Sequence, residues 1–192
     1  MFRYVSIIFF VLFASLSVHA ETVKVKLETT MGDIHIDLYA DKAPNTVDNF
    51  LKYIDAGLMG EGSFYRAVNL QNQVRKDVLI EVIQGGIGGS DVDGYGAISL
   101  ERTRDTGLKH LDGTISMARG GPDTATSEFF ICINDQPSLD FGGERNADGQ
   151  GFAAFGQVTK GMEVVRAIQM APTEEGSETI VEPVKFISFT RE

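Results

Sequence analysis

Cysteine is all but missing from this chain. Cys132 is the only one among 192 residues, so no internal disulfide can form and the fold has to be held by a buried core. Histidine is scarce as well: of three, only His35 and His110 lie beyond residue 20. His35 alternates within a strand-like segment and His110 precedes a glycine turn, which reads both as structural. No G-x-S-x-G elbow occurs, and Cys132 lies inside an apolar run where a thiolate is disfavoured. Nucleophilic hydrolysis therefore has little support. Clustered basic residues are missing too. Seventeen Lys and Arg stand against 27 Asp and Glu, a net charge of −10, and such a surface cannot neutralise a phosphate backbone, so no nucleic-acid partner is expected. Internal repeats, linkers and low-complexity stretches are absent.

Long hydrophobic runs are also lacking. The longest, Val5 to Phe13, is broken only by Ser6 and falls well short of the roughly 20 residues that span a bilayer. Preceded by Arg3 and followed by Val18-His19-Ala20, it has the charged start, apolar middle and small-residue end of a secretory signal peptide. Residues 1–20 are expected to be removed and residues 21–192 to form one domain, secreted and expected in the periplasm because the address is an export signal, with no membrane association after cleavage, and monomeric. Losing Arg3 moves the net charge from −10 to −11.

What is present has two periods. Val23, Val25 and Leu27 alternate with charged residues, as do Ile34, Ile36 and Leu38, with Met31-Gly32-Asp33 between them as a turn, which predicts a hairpin. After Pro44 the period changes: Val47, Phe50, Leu51 and Ile54 form a helical stripe that stops at Gly57. Short apolar runs follow at Phe64 to Val68, Val78 to Gln84, Gly113 to Ala118, Phe129 to Ile133 and Gly151 to Val158. A second helix is expected from Met162 to Met170 and a closing strand from Val184 to Thr190. Many short strands, two helices and 21 glycines point to an antiparallel barrel or sandwich. Two long polar loops, Asn69 to Asp77 and Gln136 to Gln150, are where binding on such a scaffold is expected.

Two motifs fail as ligand sites. Asp91-Val92-Asp93-Gly94-Tyr95-Gly96 starts like a calcium loop, but Tyr95 and Arg102 stand where ligands are required. Gly85-Gly86-Ile87-Gly88-Gly89 precedes neither a helix pattern nor Lys-Ser/Thr, so it is no phosphate cradle. Neither a metal nor a cofactor is expected.

The segments Phe64-Tyr65-Arg66, Ile83-Gln84-Gly85-Gly86, Gly113 to Ala118 continuing through Gly121-Pro122-Asp123-Thr124 to Ile131, and Phe155-Gly156-Gln157-Val158 occur in that order. Together they resemble the cyclophilins over nearly the whole of residues 21–192. The resemblance implies a mainly β fold, an eight-stranded antiparallel closed barrel capped by two α-helices, with a shallow groove that binds Xaa-Pro segments of other polypeptides. It implies peptidyl-prolyl cis-trans isomerase activity with Arg66 as the catalytic arginine. Gln84 falls at the glutamine that positions substrate backbone, Phe130 and Leu139 at walls of the proline pocket, and Val82 where the family usually has methionine. Ala118, Arg119 and Gly120 fall on the strand edge that pairs with substrate.

Other positions depart from the family. Glu128 replaces the usual glutamine, Phe152 a frequent histidine, and Ser138 a common large aromatic. The stretch between Phe64 and Gln84 is longer than the family pattern, which places an insert near Asn69 to Asp77 beside Arg66. Counting back from Gln84 puts Glu81 where a pocket phenylalanine is usual, where its carboxylate would pair with Arg66, unless the insert shifts the register so that Ile80 or Ile83 fills the pocket. Two functions follow: an isomerase that speeds the folding of exported proteins, or a chaperone on the same fold that holds proline-containing segments without accelerating their exchange.

Overall fold

The computed structural model describes residues 22–88 and 95–192. The expected signal peptide, and residues 89–94 with most of the calcium-like loop, lie outside these. The opening hairpin forms as the alternation predicts, β1 over Thr22–Thr29 and β2 over Gly32–Tyr39. Val25, Leu27, Ile34, Ile36 and Leu38 are all fully buried. Six more strands complete the fold: β3 (Ser63–Val68), β4 (Val82–Gly86), β5 (Thr114–Met117), β6 (Phe129–Cys132), β7 (Ala153–Lys160) and β8 (Thr179–Arg191). They close in the order β1-β2-β7-β5-β6-β4-β3-β8, every pair antiparallel, with β8 returning to β1 from Val25↔Arg191 to Thr29↔Phe186. Closure leaves no unpaired sheet edge, the usual hazard of an all-antiparallel design.

Helix α1 spans Pro44–Asp55 and buries the expected stripe of Val47, Phe50, Leu51 and Ile54. Phe50 meets Phe129, Phe155 and Phe189 edge-on at 5.0–5.4 Å, the favoured geometry for aromatic pairs. Its N-terminus lacks a side-chain cap of its own. Glu101, 55 residues on, accepts from the Thr46 N–H at 2.8 Å and the Thr46 hydroxyl at 2.6 Å, supplying both acceptor and negative charge where the helix dipole favours them. The expected second helix runs over Met162–Gln169, and a one-turn helix at Thr103–Thr106, not anticipated, lies between them in sequence. In chain order these are α2 (Thr103–Thr106) and α3 (Met162–Gln169).

Two boundaries moved by more than two residues. The apolar run Val78 to Gln84 becomes strand only from Val82, because Val78 to Ile80 are held by the preceding loop. The closing strand begins at Thr179, five residues earlier than expected, and pairs with β3.

Candidate active site

Strand β3 brings the chemistry to the surface through a bulge. Its pairing with β4 and with β8 shifts register between Phe64 and Arg66, so Tyr65 is left over and the alternation is broken. Phe64 and Ala67 enter the barrel core, while the adjacent Tyr65 and Arg66 both line one groove on the barrel wall. Re-aiming a side chain beside a site is a common use of such bulges.

The groove encloses about 420 Å³ and is lined by Arg66, Val82, Gln84, Ala118, Arg119, Gly120, Glu128, Phe130, Leu139 and Phe152, the ten residues singled out in the sequence. Tyr65, Ile80, Thr124, Thr126, Arg145 and Asn146 join them. A small apolar cluster, separate from the main core, gathers Val68, Ile80, Val82, Phe130, Cys132 and Leu139, with Ala118 and Phe152 packed against it. Phe152 stands edge-on to Phe130 at 5.3 Å.

Arg66 is held on two sides. Its Nε and Nη2 donate to Glu178 Oε2 at 2.9 and 2.6 Å, and its Nη1 donates to Gln84 Oε1 at 2.6 Å. Gln84 in turn donates from Nε2 to the Tyr65 hydroxyl at 2.8 Å, and Tyr65 donates to Glu128 at 2.5 Å. Burial, reinforced by the Glu128 carboxylate, pushes the Tyr65 phenol up, so it stays protonated and keeps that direction of donation. Glu128 also accepts from the Gly88 N–H at 3.1 Å. It lies so close over β4 that a Cβ on Gly86 would stand 2.4 Å from its Oε1, and the Gly86 φ of +154° is one that favours glycine.

Of the two alternatives at Glu81, pairing with Arg66 does not occur and the shift that brings Ile80 to the pocket does. Ile80, Val82 and Gln84 share the groove side, and Ile83 is buried in the main core. Glu81 faces away, accepting from Asn134 Nδ2 at 2.8 Å and Gln169 Nε2 at 3.4 Å. Ile80 therefore stands in the pocket in place of the usual phenylalanine. The carboxylate that does pair with Arg66 is Glu178, from the turn before β8, which nothing in the sequence marks.

The two long loops meet beside the groove. Gln73 is buried and organises the first, donating from Nε2 to the Asn69 carbonyl at 2.8 Å and accepting from the Ile80 N–H at 2.9 Å. Arg145, from the second loop, donates from Nη1 to the Val78 carbonyl at 2.7 Å, and Arg75 donates back to the Arg145 carbonyl. Arg119 acts through its side chain as well as its place on the rim: Nη1 and Nη2 grip Asp148 at 2.9 Å each, Nε donates to the Gly151 carbonyl at 2.8 Å, and the guanidinium lies 5.0 Å over the Phe152 ring.

Beneath the pocket, His110 Nδ1 lies 2.8 Å from Asp140 and Nε2 lies 2.9 Å from Ser116 Oγ, while the ring stacks on Phe130. The order Ser-His-Asp imitates a hydrolytic triad. Ser116 is fully buried, however, so no substrate carbonyl can reach it. Burial lowers the His110 pKa despite the opposing Asp140 carboxylate. Cys132 is buried too, and its thiol is pushed up. Among the described residues no group of His, Cys, Asp and Glu is disposed to hold a metal ion, and no helix is long and apolar enough to cross a membrane.

The class that this fold and site define is a closed eight-stranded barrel with a groove on its outer wall, in which the Arg66 guanidinium stands on the same surface as one apolar pocket. The chain belongs to the cyclophilin family: the family model for cyclophilin type peptidyl-prolyl cis-trans isomerase matches residues 24–191. Peptidyl-prolyl cis-trans isomerase A of Dickeya dadantii is 38% identical over 152 residues, covering 78% of this chain and 73% of that protein. Peptidyl-prolyl cis-trans isomerase B of Escherichia coli is 35% identical, covering 78% and 85%. Among solved structures, a cyclophilin type isomerase of Cryptosporidium parvum superposes with a TM-score of 0.71 at 21% identity, covering 90% of this chain and 98% of that one, which speaks to the fold.

Proposed function

We propose that this chain is a peptidyl-prolyl cis-trans isomerase that acts on proline-containing segments of exported proteins, with Arg66 as the group that stabilises the twisted amide. The observation that carries the reading is the Arg66 guanidinium, oriented by Gln84 and Glu178 on the same groove as the apolar pocket of Phe130, Leu139, Phe152, Val82 and Ile80.

Resonance gives an Xaa-Pro amide a rotation barrier of about 18–20 kcal/mol, and uncatalysed exchange takes tens of seconds or more. At the twisted transition state that resonance is lost and the prolyl nitrogen carries a lone pair able to accept a hydrogen bond. A donor aimed at this nitrogen favours the transition state over the planar ground state. A guanidinium has five N–H donors. Glu178 and Gln84 take three, which leaves one on each Nη for substrate. The pocket grips the pyrrolidine ring while the preceding carbonyl swings, and exclusion of water favours the less polar twisted amide. Gln84 and the rim Ala118-Arg119-Gly120 hold the substrate backbone. No covalent intermediate is required.

One donor of this kind contributes roughly 10² to 10³ in rate. In a coupled-protease assay on a short Xaa-Pro peptide, Arg66→Ala should lose about that factor. The second reading, a holding module without catalysis, is favoured by the Arg66–Glu178 ion pair, which draws on the guanidinium's charge. A native chain that gives no acceleration over buffer establishes that second reading. Export rests on the N-terminal signal: the protein recovered outside the cytoplasm should begin at Glu21, as read by its intact mass.

A further inference from the structure

The groove carries more positive charge than isomerisation itself uses. Three arginines line it. Arg66 is neutralised by Glu178 and Arg119 by Asp148, and the lining carboxylate, Glu128, is engaged by the Tyr65 hydroxyl and the Gly88 N–H. Arg145 has no carboxylate in contact among the described residues; its side chain spends one donor on the Val78 carbonyl. Burial, followed by the neighbouring Arg66 and Arg75 charges, disfavours its charged form more than the Glu178 and Asp77 carboxylates, which contact those two arginines instead, favour it, so Arg145 is a half-buried cation with no contacting counter-ion. Beside it on the same wall, the Nδ2 of Asn146 is buried with no acceptor. A desolvated cation without a contacting carboxylate and a desolvated donor without an acceptor are each costly alone and are relieved together by one anionic acceptor. The backbone of both is tied down: the Arg145 N–H donates to the Ser138 carbonyl at 3.1 Å, its own carbonyl accepts from Arg75, and the Asn146 carbonyl accepts from the Gly149 N–H at 3.0 Å.

We propose that Arg145 and Asn146 form a donor subsite beside the proline pocket that selects substrates carrying an Asp or Glu side chain within three residues of the proline. The subsite rests on the groove being where the proline-containing segment binds. The carboxylate supplies the partner that Arg145 lacks, in the planar two-oxygen form a guanidinium fork accepts best, and Asn146 adds a neutral donor. A Lys in the same place meets Arg145 and Arg66 and is rejected, so discrimination comes from repulsion as well as attraction.

The test uses the full folded domain and peptides centred on Ala-Pro, with Glu, Ala or Lys at each of the two positions before and the two after that dipeptide. Affinity is read by NMR titration and turnover by exchange spectroscopy, separately. Glu should bind about tenfold more tightly than Lys at one or more positions. Arg145→Gln should erase that ratio, and Arg145→Lys should retain part of it. Asn146→Ala should weaken binding of the Glu peptide without lowering the melting temperature, because the donor it removes has no partner in the free protein. It decides the matter if Arg145→Gln fails to fold. Equal affinities at all four positions, or a ratio that survives Arg145→Gln, or unchanged Glu-peptide binding by Asn146→Ala, would overturn the subsite. Arg145-dependent binding without accelerated exchange upholds it and sinks the isomerase reading. Accelerated exchange without charge preference does the reverse.

Discussion

At Arg66, two demands meet on one guanidinium: it has to be held still, and it has to keep donors free. Glu178 serves the first by gripping the Nε and Nη2 edge, and it ties the insert to the same point by accepting from the Val74 N–H at 3.2 Å. The pair is mostly shielded, with 28% of the Arg66 side chain and 12% of the Glu178 side chain exposed, so desolvation offsets much of the Coulombic attraction and its net contribution to stability is small. Its contribution to placement is larger, since misplacing a reacting group by 1 Å can cost about 10²-fold. Glu178→Gln should therefore lower kcat by about tenfold with little change in KM or melting temperature; a rise in kcat would mean the carboxylate quenches the arginine instead. His110 offers a second test at this scale. Burial sets its folded-state pKa below the ordinary 6.5, so the unfolded chain binds the proton first as pH falls. The stability of the neutral ring is present above pH 6.5 and is lost on acidification. Melting temperature should fall between pH 7.5 and pH 5, and His110→Gln should flatten that slope. Of these residues Arg66 was legible only through its neighbours in sequence, because a lone arginine on a strand reads equally well as a surface ion pair. Glu178 was not legible at all, since 112 residues separate it from its partner.

At the level of elements, the strands and helices follow the alternation and stripe of the sequence closely, and the misses lie where a loop overrode local pattern. Val78 to Ile80 look like strand by composition. The buried Gln73 claims the Ile80 N–H, and Arg145 claims the Val78 carbonyl, so the ladder starts at Val82. The bulge at Tyr65 is invisible to a period-two reading for the same kind of reason: it depends on which partner strands are present. The insert's consequence is that Ile80 packs against Phe130, Val82 and Leu139 in the pocket cluster. Ile80→Ala should cost about 2 kcal/mol, the low end for truncating a buried aliphatic residue, because a loop residue leaves neighbours that can relax. It should also raise KM for Xaa-Pro peptides more than it lowers kcat, as denaturant melts and steady-state kinetics would show. Unchanged peptide binding would place Ile80 outside the site.

The whole molecule is a barrel closed by pairing its first strand with its last, so the groove sits on a wall that no single segment builds. Strands β3, β4 and β6, the segment between β5 and β6, and the second long loop contribute to it. Closure was legible from the family resemblance and not from periodicity, which allows a sandwich equally. The acidic surface, net −10, surrounds a groove whose lining arginines outnumber its lining carboxylates, a contrast that steers acidic segments toward it and weakens with salt. The central claim is that one proline touches the Phe130 pocket while Arg66 reaches its nitrogen. Exchange spectroscopy on an Ala-Pro peptide, with native chain and Arg66→Ala at saturating peptide, tests this most directly. The account predicts that both proteins shift the proline resonances and that Phe130 responds, but that only the native chain gives fast cis-trans exchange. Fast exchange retained in Arg66→Ala, or peptide shifts that leave Phe130 untouched, would contradict it.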